Sequence, residues 1–380
     1  MNRHTLSTHI RRMLAVALIL CLSICVLAGC GRQESSQSAD SNGLPRVIFV
    51  VMGGLGDKSF FDSANEGMKL IHDELGCDTK VVELGYDPAK WETTLHEVSD
   101  LDWDIIVAVG YSSQETLAKV AAEHQDKHYI LIDGSLDFST GKYNNVYCIS
   151  FYQNEASYLA GALAAMIAAD DSLPNSNGRG IIGAVGAMDT PNINDFIVGY
   201  IQGATETVPD TKVLVSYVGN FSDTAKAKDL AIAQSDSGVS VCFQVCAQAG
   251  LGVIEAAATR HFYAIGVDSE QALSLEETKP EQAEVIATSV MKNVGQALFL
   301  TVKDYINGVE IPYGTTVSMG LEDSTVELAD DKYYQAIATD EMKEKIEELT
   351  AKIQSGEIEV KSAFNMSSTE VAAMRNAVRP

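Results

Sequence analysis

The 380-residue chain carries 27 Lys+Arg against 52 Asp+Glu, a formal net charge of −25. So acidic a surface repels nucleic acid and anionic headgroups and argues against both as partners. With 46% apolar and 21% charged residues, the chain is globular in composition and long enough for more than one core.

The N-terminus has the layout of an export signal. Arg3, Arg11 and Arg12 form a basic n-region, and residues 13–26 are apolar apart from Ser23. That run is shorter than the roughly 20 apolar residues a spanning helix needs. It ends in Leu27-Ala28-Gly29-Cys30, which resembles a lipobox, the signal in which the Cys is acylated and becomes the new N-terminus. Residues 1–29 are therefore expected to be a lipoprotein signal peptide. Residues 30–44, with Gln33, Ser35, Ser36, Gln37, Ser38, Asp40, Ser41 and Asn42, are too polar to bury a core. They are expected to form a flexible tether behind a lipidated Cys30, with two or three acyl chains holding the protein to the bilayer. The leader carries three Arg and no acid, so the mature chain has a net charge near −28.

From Pro45 onward, short apolar runs alternate with helical patterns. Residues 46–52, 80–84, 105–109, 129–132 and 146–150 predict one set of strands; 180–185, 213–218, 239–245 and 262–267 predict a second. Helical periodicity marks 155–169, 193–208 and 225–234. Continuous Val/Ile runs suit strands covered on both faces, and strand–helix alternation suits a parallel sheet. The pattern restarts near Gly180 after the polar break 170–179. Two doubly wound α/β lobes follow, with a ligand cleft between them.

Several strands end in small or polar turns: Gly53-Gly54-Leu55-Gly56-Asp57, Gly110-Tyr111-Ser112-Ser113, Gly186-Ala187-Met188-Asp189, Gly219-Asn220-Phe221-Ser222-Asp223, Gln248-Ala249-Gly250 and Asp268-Ser269. In open α/β sheets ligands bind at such carboxyl ends. The first turn lacks the spacing of a phosphate-binding loop, and Asp57 would meet an anion with like charge. A neutral polar solute fits better. Cys77, Cys148, Cys242 and Cys246 remain after export and are expected to be buried thiols, an extracytoplasmic disulfide being the alternative. His124 and His128 have helical spacing, but the second begins a strand, so no metal site and no cofactor are expected.

At Asp57-Lys58-Ser59-Phe60 the chain resembles the basic membrane protein family, lipoproteins that bind purine nucleosides for ABC importers. Glu155-Ala156-Ser157-Tyr158-Leu159-Ala160-Gly161, Tyr217-Val218-Gly219-Asn220-Phe221-Ser222-Asp223, Gly250-Leu251-Gly252-Val253-Ile254, Ile265-Gly266-Val267-Asp268 and Thr288-Ser289-Val290-Met291-Lys292 follow in family order. The resemblance implies a type I periplasmic-binding-protein fold with three crossings between lobes. Expected boundaries are 45–152 plus 292–308 for the N-terminal lobe and 153–291 plus 309–380 for the C-terminal lobe. It also implies that Asp268 holds a sugar diol with help from Lys292; Lys292 could equally serve to keep an empty Asp268 ionised. Phe60, Phe61 and Phe221 are loop aromatics able to stack on a base, although Phe60 could instead plug the lobe core. Asp57, Asn65, Tyr111, Ser112 and Gly250 complete the expected ligand set. Three positions depart from the family pattern. Gly56 stands where an acidic residue is common, Phe61 where Asn is common, and Asn65 where an aromatic is common.

The expected function is an extracytoplasmic, membrane-anchored, monomeric solute-binding lipoprotein that hands a nucleoside-like ligand to an ABC permease. A tethered sensory receptor on the same fold is the alternative. An enzyme is not expected, since Asp57, Asp189, Asp223 and Asp268 are scattered over different strand ends with no His among them.

Overall fold

The computed structural model describes residues 43–380; the expected leader, Cys30 and most of the tether lie outside the described residues. Ten strands run in chain order as β1 (Val47–Val51), β2 (Thr79–Glu83), β3 (Ile105–Val109), β4 (His128–Ile132), β5 (Val146–Phe151), β6 (Ile181–Gly186), β7 (Lys212–Tyr217), β8 (Val241–Val245), β9 (Tyr263–Asp268) and β10 (Ile286–Lys292). Two more, β11 (Thr315–Met319) and β12 (Val326–Leu328), return late in the chain. They form two six-stranded sheets with matching orders, β2-β1-β3-β4-β5-β11 and β7-β6-β8-β9-β10-β12. Every pairing is parallel except that of β10 with β12.

The central strands are buried on both faces, as their unbroken Val/Ile runs require. In β1, Phe49 and Val51 face the helix Phe60–Asp73 through Ala64 and Met68. Ile48 and Val50 face the other layer, where Leu95, Val98, Leu117 and Val120 lie. The second sheet repeats this with Ile182 and Ala184 on one side and Val185 packed with Ala227, Val253 and Ala257 on the other.

The chain passes between the lobes three times: from Phe151 to Gln153, from Lys292 to Val294, and from Met319 to Val326. After the second passage, the helix Val294–Ile306 packs on Phe60–Asp73 of the first lobe. Their backbones meet so closely that a Cβ on Gly67 would lie 2.4 Å from the Gly295 carbonyl oxygen. In the second lobe, helices Gln153–Ala169 and Pro191–Thr207 meet likewise through Gly161, Gly199 and Gly203.

The third passage corrects one expected boundary. Residues 309–380 were assigned whole to the C-terminal lobe, but β11 pairs with β5 in the first sheet. Its edge position explains why it was hard to read: Thr315, Thr316 and Ser318 are exposed, and only Val317 and Met319 pack inward.

Beyond the helix Asp340–Gln354, the chain straps across the second lobe. Asn154 donates to the Val360 and Lys361 carbonyls, Gln202 pairs with Glu359 and Lys361, and Asp195 accepts from Ser362 and Ala363. The helix Ser368–Ala377 follows, opened by a capping box of Ser367 and Glu370.

Candidate ligand-binding cleft

A cavity of about 540 Å³ lies between the lobes. In each sheet it sits where the strand order reverses, beyond the carboxyl ends of β1 and β3 in one lobe and of β6 and β8 in the other. This is the place where doubly wound sheets leave a crevice. Met52 and Gly110-Tyr111-Ser112 supply the first lobe's side, Met188 and Ala247 the second's. Its remaining walls are largely aromatic and aliphatic, including Phe60, Phe61, Trp91, Phe196 and Phe221.

One polar centre stands in this apolar wall. Lys292, at the end of β10, is buried, with its ammonium 3.2 Å from Asp133 Oδ2 and 3.6 Å from Asp268 Oδ1. The faces of Phe60 and Phe196 lie 4.7 and 5.1 Å from the ammonium. Asp133 follows β4 and Asp268 ends β9, which are equivalent strands of the two lobes. Both residues adopt left-handed backbone, with φ of 62° and 66°. Strain of this kind in non-Gly residues collects at ligand sites, held by the surrounding fold. Asp268 Oδ2 accepts from Ser59 Oγ at 2.6 Å, so a first-lobe loop and a second-lobe strand share this carboxylate.

Burial works against the Lys292 ammonium, but Asp133 and Asp268 outweigh it and hold its pKa above the ordinary lysine value. Burial also lifts the Asp268 carboxyl above its ordinary range, with Lys292 and Ser59 pulling the other way. Two carboxyl groups flank one lysine ammonium, so the centre offers several acceptor oxygens and no unpartnered cation. Such a centre accepts hydrogen bonds from hydroxyl groups and disfavours anions. Both expectations for Lys292, ligand contact and charge partner, are compatible with this geometry.

The cavity gathers Phe60, Phe61, Tyr111, Ser112, Phe221, Asp268 and Lys292 from the expected set. Phe60 also belongs to the hydrophobic core, so its two readings are not exclusive. Three residues fall elsewhere. Asp57 is fully buried, and its carboxylate accepts from the Ser59, Phe61 and Asp62 amides at the start of Phe60–Asp73. It is a helix cap, and burial pushes its pKa up to about 6 against those donors. Asn65 lies in a separate outer groove with Ser269 and Glu270, beyond the Ser59–Asp268 contact. Gly250 packs on Gln244, where a Cβ would sit 1.8 Å from Oε1; the ligand-facing residue of that segment is Ala247.

Asp133, Trp91, Asn192 and Phe196 line the cavity and were not anticipated. Asp133 had a readable signal: Leu131-Ile132-Asp133-Gly134 repeats the pattern of Gly266-Val267-Asp268-Ser269, an apolar strand ending in Asp and a small residue. Of the other strand-end acids, Asp223 caps the helix Thr224–Asp236 and Asp189 pairs with Arg375. Cys77, Cys148, Cys242 and Cys246 are buried free thiols. Among the described residues no His/Cys/Asp/Glu group is arranged to hold a metal, and no helix is long and apolar enough to cross a membrane.

Two doubly wound lobes, three passages and a cleft at the strand ends define a two-lobed solute-binding protein. A solved ABC transporter solute-binding protein from Aeropyrum pernix superposes with a TM-score of 0.74 at 27% identity, covering 88% of this chain and 100% of that one. A solute-binding protein from Conexibacter woesei, at 19% identity and a TM-score of 0.65, shares the fold over 84% of this chain and 99% of its own. Residues 44–363 match the Bmp family, described as ABC transporter substrate-binding protein PnrA-like, and the chain belongs to that family. The ABC transporter nucleoside-binding protein BmpA of Lactococcus lactis is 28% identical over 93% of this chain and 99% of its own length. Basic membrane protein B of Borreliella burgdorferi is 29% identical over 78% and 84%.

Proposed function

We propose that this substrate-binding protein captures a ribonucleoside in the inter-lobe cleft and delivers it to an ABC permease. The observation that carries the reading is the Asp133–Lys292–Asp268 centre set in an aromatic cavity. Its carboxylate oxygens suit a vicinal diol, and Phe60, Phe61 and Phe221 offer faces on which a base can stack, at roughly 1–3 kcal/mol per base. The name of the Lactococcus relative points the same way. The ligand-set members Tyr111 and Ser112 form the cavity rim in this reading. Asp57, Asn65 and Gly250 act in it only through the segments they hold. Titration with ribonucleosides tests the proposal: saturable binding is expected, and no binding of any nucleoside would overturn it.

The same reading places the protein on the extracytoplasmic face of the cell membrane, held by acylated Cys30. The support is the basic and apolar leader, the Leu27-Ala28-Gly29-Cys30 sequence and the polar stretch behind it. Labelled palmitate should enter the wild-type protein and not Cys30→Ser; equal labelling of the two would contradict the anchor.

A further inference from the structure

The second lobe faces the cavity with two loops. Met188, Asn192 and Ile193 come from the segment after β6, and Asn220, Phe221 and Ser222 from the segment after β7. Both loops are held from behind by a closed ring of side chains. Asn194 donates to Asp189 Oδ1 at 2.7 Å, Tyr217 donates its hydroxyl to Asn194 Oδ1, and Arg375 donates both to Tyr217 and, at 3.2 Å, to Asp189 Oδ2. The guanidinium also lies 5.1 Å from the Tyr217 ring. Arg375 comes from the helix Ser368–Ala377, beyond the residues that match the family. Its side chain is 16% exposed and that of Asp189 54%, so the bond to Tyr217 is the sheltered one and the Asp189 pair is open to solvent screening. That helix has its own anchorage: Val371 packs with Val198 and Ala363, and the Val378 carbonyl accepts from Val213 in β7.

We infer that Arg375 is a positioning residue for the ligand cleft, through which the helix Ser368–Ala377 fixes both ligand-facing loops of the second lobe. It touches no cavity atom itself. Arg375 joins Asp189, in the first loop, to Tyr217, at the base of the second; Asn194 makes the same link from within the lobe, so Arg375 is what ties the ring to the helix Ser368–Ala377. The guanidinium holds both with donors fixed in one plane; a lysine ammonium is a point charge on a flexible stem and does not reproduce that geometry.

The affinity arm rests on the nucleoside reading; the exchange arm does not. In Arg375→Ala, amide hydrogen exchange should quicken in residues 187–194 and 217–222 of the ligand-free protein, with the sheet cores unchanged. Adenosine affinity should fall roughly ten-fold, the scale of one charge-assisted hydrogen bond. Arg375→Lys should recover only part of that loss. Asp189→Asn, which breaks the ring from its other side, should reproduce both effects and serves if Arg375→Ala folds poorly. Unchanged exchange in the two loops would overturn the inference, and so would faster exchange with wild-type adenosine affinity. Failure of the wild-type protein to bind adenosine would count against the nucleoside reading, while the exchange arm would still decide whether Arg375 holds the loops.

Discussion

Lys292 shows how one residue can serve both the fold and the cleft. Removing an ammonium from between two buried carboxyl groups would leave them uncompensated, at a cost of about 3–5 kcal/mol, so the same side chain that lines the cleft also keeps the lobes compatible. Asp195 is a second buried acid near this centre, and it behaves differently. Among the described residues it has no cationic partner within ion-pair distance; Oδ1 accepts from Ser362 and Ala363, and the Asn154 backbone N–H lies close enough to favour the charged form. Burial raises its pKa to about 7, against those donors and with Asp133 adding to the rise. The folded state therefore holds this proton to higher pH than the unfolded chain does. The stability it confers is full below the ordinary carboxylate value and is lost as pH rises through about 7, and Asp57 adds a loss of the same sign near 6. Asp195→Asn removes the buried charge while keeping an oxygen for Ser362 and Ala363. It should melt higher than wild type at about pH 8, with a smaller gap at about pH 5; a variant melting lower at the higher pH would contradict this account. Of these residues, Asp268 and Lys292 were legible from chain order and family resemblance. Asp57 follows the glycine turn after β1 and holds the start of the next helix, and nothing in its local sequence separates that role from facing a ligand. Asp195 sits within a helical pattern, and only the strap packed over it reveals its role.

At the scale of elements, seven of the nine strands legible as apolar runs are largely buried, while β2 and β7, at the sheet edges, are only partly so. The three that escaped have polar or exposed residues where a run was expected. In β10, Thr288 and Ser289 are buried but satisfied, Thr288 by the Ala329 carbonyl and Ser289 by the Gln271 amide. β11 is a solvent-facing edge, and β12 has three residues. No periodicity rule recovers such strands, because partners far along the chain fix them. Helix pairing was likewise only half legible. The glycines of the two long second-lobe helices look like weak points by propensity, yet they allow backbone contact. A Cβ at position 199 would lie 2.2 Å from the Asn154 carbonyl oxygen. Gly199→Ala should therefore destabilise the protein by roughly 1–3 kcal/mol through overpacking, although alanine is the better helix former. Thermal melts would check this, and a variant at or above the wild-type melting temperature would show that the helices can part without cost.

For the whole molecule, the two lobes repeat one topology, and each contributes an Asp from its equivalent strand to a shared centre. Contacts between lobes concentrate there: Ser59 reaches Asp268, Ser269 and Gln271 both donate to the Lys58 carbonyl, and Lys292 spans to Asp133. A ligand bound at this seam would touch both lobes, which is how hinged binding proteins couple capture to closure. The two-lobed plan could be inferred from the restart of the strand pattern. The seam could not, because its partners lie more than 150 residues apart in the chain. The central claim is that this seam reads a ribose diol. Calorimetric titration of the wild-type protein and of Asp268→Asn with adenosine and 2′-deoxyadenosine tests it most directly. The account predicts that wild type binds adenosine at least about ten-fold more tightly than the deoxy form, since an unpaired buried acceptor costs roughly 1–3 kcal/mol, and that Asp268→Asn narrows the difference. Equal affinity of the wild-type protein for the two nucleosides would contradict it.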